Sequence, residues 1–188
     1  SPSGFFAALT NQRVAAGRDD SRRSRGEVVV ELMRRGTAPS ARCWITGVDP
    51  DEYNPFNVVY GAPGHVWVSH GVDGLKPQRL EVGVQVLPNE RLNSMAFPKV
   101  SRARALCAEL PDDDEALFAH LQRVLSDGEW PTDFSIIKDA PFDAELQGRL
   151  HALQVKTPVY GTCSASIFGV SAEGEIRYLF ADGPPDVT

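Results

Sequence analysis

The sequence predicts an α+β fold, with antiparallel strands and helices that keep to separate stretches of chain. Three observations carry that prediction. A strand-like run opens the chain, helical periodicity fills much of its middle, and two apolar runs around a short polar turn close it. A doubly wound parallel sheet would instead need strands and helices alternating one for one.

Taken in order, GFFAALTN at residues 4–11 reads as a strand, since its two Phe, its Leu and its small residues can pack on either face of a sheet. An Arg-rich loop follows. SRGE at 24–27 is expected to form a capping box, with Ser24 accepting from the amide of Glu27 and the Glu27 carboxylate reaching back to the amide of Ser24. The helix it starts, over 25–35, stripes Val28, Val29, Leu32 and Met33 along one side. Arg34 and Arg35 suit the negative end of its dipole and Gly36 stops it. A weaker helix is expected over 40–46. Residues 56–60 and 66–69, joined by a turn at APGH, read as a hairpin. Further strands are expected at 80–82 and 84–87.

The next helix, over 100–110, turns Ala103, Leu106, Cys107 and Leu110 inward. Another begins in the acids of 112–115, which complement its amino end, and buries Leu117, Phe118, Leu121, Val124 and Leu125. Residues 128–141 read as a loop and 143–153 as a short helix. TCSASIFGV-SAEG-EIRYLFA reads as the closing hairpin. With no internal repeat or flexible linker, residues 1–183 are expected to form a single domain and 184–188 a frayed tail.

Composition narrows the function classes. At 188 residues, 42% apolar and 23% charged, the chain has the make-up of an ordinary globular protein with a real core. No apolar stretch approaches a membrane span and no signal-peptide pattern opens it. Cys43, Cys107 and Cys163 show no metal-ligand spacing, and their odd number argues against a disulfide framework. A reducing, cytoplasmic setting is expected. The net charge of −6 hides an asymmetry: residues 1–42 carry +4 and the remainder −10. Asp19, Asp20, Glu27 and Glu31 interrupt the basic stretch and no aromatic residues interleave with it, so nucleic acid is not an expected partner.

His65, His70, His120 and His151 lack ligand spacing, and His65 and His70 fall on opposite faces of one strand. The acids of 112–115 lack the alternating pattern of a calcium loop. No P-loop, dinucleotide fingerprint or Gly-x-Ser-x-Gly elbow occurs. Neither a metal nor a cofactor is expected.

The order of the motifs is more specific than any one of them. GFFAALTN is followed by SRGE opening a helix, YNPFN entering a strand, VLPNERL with FPKVSRA, and PVYGT before the last hairpin. That succession resembles the NRDE-motif proteins of the transport-and-Golgi-organisation (TANGO) family, over nearly the whole chain. The resemblance implies an N-terminal-nucleophile (Ntn) hydrolase-like fold, a four-layer α-β-β-α sandwich. Family members open with Met-Cys, a strand, the Asn-Arg-Asp-Glu motif and a Gly-Gly-Thr-Trp segment, all ahead of GFFAALTN. The resemblance therefore implies a domain without its leading segment and first strands, with SPSG as the turn of a hairpin.

The activity implied is that of an Ntn-type cysteine amidohydrolase acting on a small-molecule amide. The thiol of the first residue attacks the carbonyl, its own α-amino group serves as base, and the nucleophile lies in the absent segment. Ser1 is chemically suited to that part, but it adjoins Pro2 and falls in a surface turn. Asn11 and Asn89 match positions where a neutral amide donates to the developing oxyanion without a charge to desolvate. Asn also ends strands and makes turns. Tyr53 and Asn54 are candidate substrate-binding residues, the alternative being an aromatic-rich turn that packs Phe56 inward. Cys163 stands where relatives carry the Arg of YGTR, and is either a substrate-side thiol or a small buried residue. The resemblance also allows a second reading, the non-catalytic binding or trafficking of a hydrophobic ligand such as haem or a lipid, with His65, His70 or Cys163 as candidate axial ligands. On either reading the expected partner is a small molecule, and an exposed strand edge at 4–11 invites pairing with a second copy.

Overall fold

The computed structural model describes residues 1–12, 17–136 and 143–186, and its architecture is α+β with antiparallel sheets. The chain divides into two compact units, one of residues 1–94 and 170–176 and the other of 95–169 and 177–188.

The first unit is built on a four-stranded sheet, β1 (Phe6–Asn11), β2 (Phe56–Ala62), β3 (His65–His70) and β4 (Gln78–Arg79), in that order across the sheet. Every neighbouring pair is antiparallel. Because side chains alternate along a strand, the register sorts them into two faces. One face carries Leu9, Phe56, Val58, Tyr60 and Trp67 and packs against helices α1 (Gly26–Arg35) and α2 (Ala38–Ile45). Val28, Leu32, Ala41 and Ile45 are fully buried there, and side chains of the size of Leu32 and Ile45 each contribute about 1.5–3 kcal/mol through removal from water. The other face carries Thr10, Asn57, Val59, Val68 and His70.

The expected α1 stripe is present, with Val28 and Leu32 buried and Val29 and Met33 half-buried. Gly36 stops the helix at φ 69°, its amide donating to the Leu32 carbonyl. The capping box at 24–27 does not form. Arg25, already helical at φ −59° and ψ −25°, stands at the N-cap, and the Glu27 carboxylate is taken by the Arg23 guanidinium at 2.7 Å. A local motif has lost to a charge-assisted pair. Helix α2 starts two residues ahead of the expected position, because Thr37 caps it through the Ser40 amide and Pro39 suits its first turn.

The β2–β3 hairpin matches the reading and runs slightly longer. Gly61, at φ 150°, is fixed by close approach: a Cβ there would lie 2.2 Å from the His65 carbonyl oxygen. The strands expected at 80–82 and 84–87 are absent. On the side of β3 away from β2 the sheet ends in the two-residue β4, Gly83 takes φ 114°, and Val82 is fully exposed.

The second unit holds α3 (Pro98–Leu106), α4 (Asp114–Leu125), α5 (Ala144–Arg149) and, apart from their turn-side residues Val170 and Ile176, the paired hairpin strands β5 (Ala165–Val170) and β6 (Ile176–Ala181). Helix α3 ends before Leu110, which is exposed, not inward as expected. Asp113 caps α4 through the Ala116 amide at 2.9 Å, and Phe118 is its buried anchor. Asp143 caps α5 in the same way, through the Leu146 amide at 2.7 Å. The last part of the loop expected over 128–141 and the end of the 184–188 tail lie outside the described residues. Among the described residues no helix is long and apolar enough to cross a membrane.

Candidate functional site

On the face of the first sheet away from α1 and α2, the register sets Thr10, Asn57 and His70 side by side across three strands: Thr10 pairs with Asn57, and Asn57 with His70. Asn57 is fully buried and His70 is 7% exposed. A polar row at that depth must satisfy itself, and it does so by holding the segment that follows β4. The Asn57 Nδ2 donates to the Glu90 carbonyl at 2.5 Å, to Thr10 Oγ1 at 3.0 Å and to the Pro88 carbonyl at 3.2 Å. Thr10 Oγ1 in turn donates to the Pro88 carbonyl at 2.9 Å.

This bonding fixes two chemical assignments. The carbonyls of Pro88 and Glu90 can only accept, so the amide nitrogen of Asn57 faces them and its Oδ1 faces His70. His70 Nδ1 lies 2.6 Å from that oxygen and must therefore carry the proton. Burial pushes the imidazole below its ordinary pKa, with Asp73 opposing the shift and Arg91 adding to it. His70 is thus a neutral ring protonated at Nδ1, and its Nε2 makes no hydrogen bond among the described residues. A second clasp lies close by. Arg91 makes a two-point ion pair with Asp73, with Nη2 at 2.8 Å from Oδ1, and holds the Asp73 carboxyl below the usual range. Gln12 accepts from the Val72 amide at 3.2 Å.

The row brackets one residue. Pro88 and Glu90 flank Asn89, so anchoring their carbonyls presents the Asn89 side chain, whose Nδ2 donates to the Asn11 main-chain carbonyl at 2.9 Å. Asn11 and Asn89, 78 positions apart in the chain, meet at the end of the sheet. The Asn11 side-chain amide and the second Nδ2 proton of Asn89 have no acceptor among the described residues.

The other residues named from sequence lie elsewhere. Tyr53 is buried in the α1–α2 core, edge-on to Phe56 at 5.9 Å and beneath the Arg23 guanidinium at 5.1 Å, and burial raises its phenol pKa. Asn54 clamps Asp19 from both sides, accepting from its amide at 2.8 Å and donating to its carbonyl at 2.7 Å. Cys163 belongs to the second unit and is exposed. His65 is exposed at the opposite end of β3 from His70 and on the other face. Among the described residues no group of three or more His, Cys, Asp or Glu side chains is placed to hold a metal ion.

Sequence reasoning did not find Thr10 and Asn57, and it weighed His70 only as a metal or axial ligand. The available signal was Asn57 itself, a polar residue inside the otherwise apolar strand FNVVYGA.

A family model described as Transport and Golgi organisation 2 matches residues 1–180 of the chain. No curated protein matches it.

Proposed function

The chain belongs to the Transport and Golgi organisation 2 family, and from that premise we propose that it hydrolyses an amide bond in a small molecule at the Asn11–Asn89 end of its first sheet. The reading takes the complete fold to be the four-layer α-β-β-α sandwich of Ntn hydrolases, and the attacking group to be a cysteine thiol outside residues 1–188. The thiolate adds to the carbonyl carbon, and the oxyanion that forms receives N–H bonds from the Asn11 and Asn89 amides. Collapse to a thioester breaks the C–N bond, and the amine leaves with the proton held by the base. Water then releases the acid and frees the thiol. His70, Asn57 and Thr10 touch no substrate in this scheme. They are positioning residues that keep Asn89 beside Asn11.

One observation supports the reading best: the Asn89 side-chain amide, carried on a segment fixed by a buried network, is held against the Asn11 main chain at a strand end with a donor to spare. Donors that are already oriented cost no reorganisation when charge develops, which is what an oxyanion site needs.

The test is amine release from a panel of small amides by the protein made from its native gene, before and after iodoacetamide. A companion variant carries Ser at Cys43, Cys107 and Cys163. The reading expects turnover that alkylation abolishes in both proteins. No turnover on any amide, or turnover that survives alkylation, overturns it.

A further inference from the structure

We propose that a cavity of about 380 Å³ at the other end of the first sheet binds a small aromatic carboxylate. Its walls include Phe5, Pro39, Ala62 and Trp67, its polar side chains include Arg42 and His65, and no acidic residue lines it. The volume falls within the range of small-molecule sites, which are mostly apolar with a few polar groups that orient the ligand.

The lining selects the ligand's chemistry. Arg42 lies over the face of the Trp67 indole, its guanidinium carbon 4.8 Å from the ring centroid, and forms no ion pair among the described residues. Its guanidinium N–H groups have no acceptor among the described residues, and a guanidinium fork can meet both oxygens of a carboxylate at once. A cation at an acid-free cavity in a chain of net charge −6 favours an anionic head group. The indole of Trp67 and the Pro39 ring offer flat apolar surfaces, which suit a planar body over a branched one. The imidazole of His65 supplies a further polar contact at the same cavity.

The site is separate from the Asn11–Asn89 pair. Phe5 and Ala62 stand at one end of strands β1 and β2, and Asn11 and Phe56 at the other. Six residues of strand separate the two ends by roughly 20 Å. The carboxylate site therefore stands whether or not amide hydrolysis occurs.

The probes are 2-naphthoate and its neutral isostere 2-naphthamide, titrated calorimetrically into the full chain and into Arg42→Gln. Arg42 is exposed, so its replacement is compatible with folding, which a thermal melt verifies. The expected result is saturable naphthoate binding that weakens about tenfold or more in Arg42→Gln, the size of a charge-assisted hydrogen bond. Naphthamide should bind both proteins alike and more weakly than naphthoate binds the unaltered chain. Naphthoate should also change the indole emission, and that component should vanish in Trp67→Phe. Equal binding of the two probes, undiminished naphthoate binding by Arg42→Gln, or no saturable binding overturns the proposal.

Discussion

Asn57 serves four groups with one side chain, donating to Thr10, Pro88 and Glu90 and accepting from His70. Its replacement by the nearly isosteric Asp is therefore expected to be more damaging than its size implies. A carboxylate cannot donate to the two carbonyls, and it would face them as a buried charge. Asn57→Asp should lower unfolding stability by roughly 3 kcal/mol or more, measured in urea at neutral pH. His70 gives a pH signature. Its folded pKa lies below the ordinary 6.5, so between the two values the unfolded chain binds the proton more readily. The stability from its neutral form is complete above about pH 6.5 and is lost as pH falls toward the depressed folded value. Asp73 and Arg91, the charged groups that act on the ring, stay ionised across that window. His70→Asn keeps a donor for Asn57 Oδ1 but cannot titrate. Melting curves from pH 5 to 8 should show a shallower acid-side decline for this variant than for the unaltered chain.

The elements differ in how much of their cause is local. Helix α1 was legible because a 3.6-residue stripe and a terminal glycine are written into the sequence itself, and α4 because its acids and apolar residues follow the same logic. The strands expected at 80–82 and 84–87 were not, because their β-type side chains find no partner strand beyond β4. The residues just beyond them, Pro88 to Glu90, serve the site instead, through the carbonyls that Asn57 and Thr10 hold. The β2–β3 hairpin yields a sharp prediction. Gly61→Ala would drive a methyl group into the His65 carbonyl oxygen and hold a φ of 150° that alanine disfavours. It should cost about 2 kcal/mol or more, read as a lowered denaturant midpoint. A midpoint equal to that of the unaltered chain would show that the hairpin relaxes freely.

For the molecule as a whole, motif order in the sequence was enough to point to the family that residues 1–180 match, and element grouping was enough for the α+β class. The site was legible in part. Asn11 and Asn89 were named from the sequence, but the reason they meet was not, because cross-strand register places Thr10 beside Asn57 and Asn57 beside His70 only once the sheet exists. Tyr53 and Asn54 show the converse, since an aromatic and an amide in a short motif are engaged with Phe56, Arg23 and Asp19. The central claim is that the Asn11–Asn89 pair receives an oxyanion. Its most direct test is kcat on the best amide of the panel for the unaltered protein and for Asn11→Ala, with the melting temperature of each. Asn11 is exposed, so the melting temperature should hold while kcat falls by about 10²–10³-fold, the loss typical of one oxyanion donor. An Asn11→Ala protein that turns over as fast as the unaltered one contradicts the account.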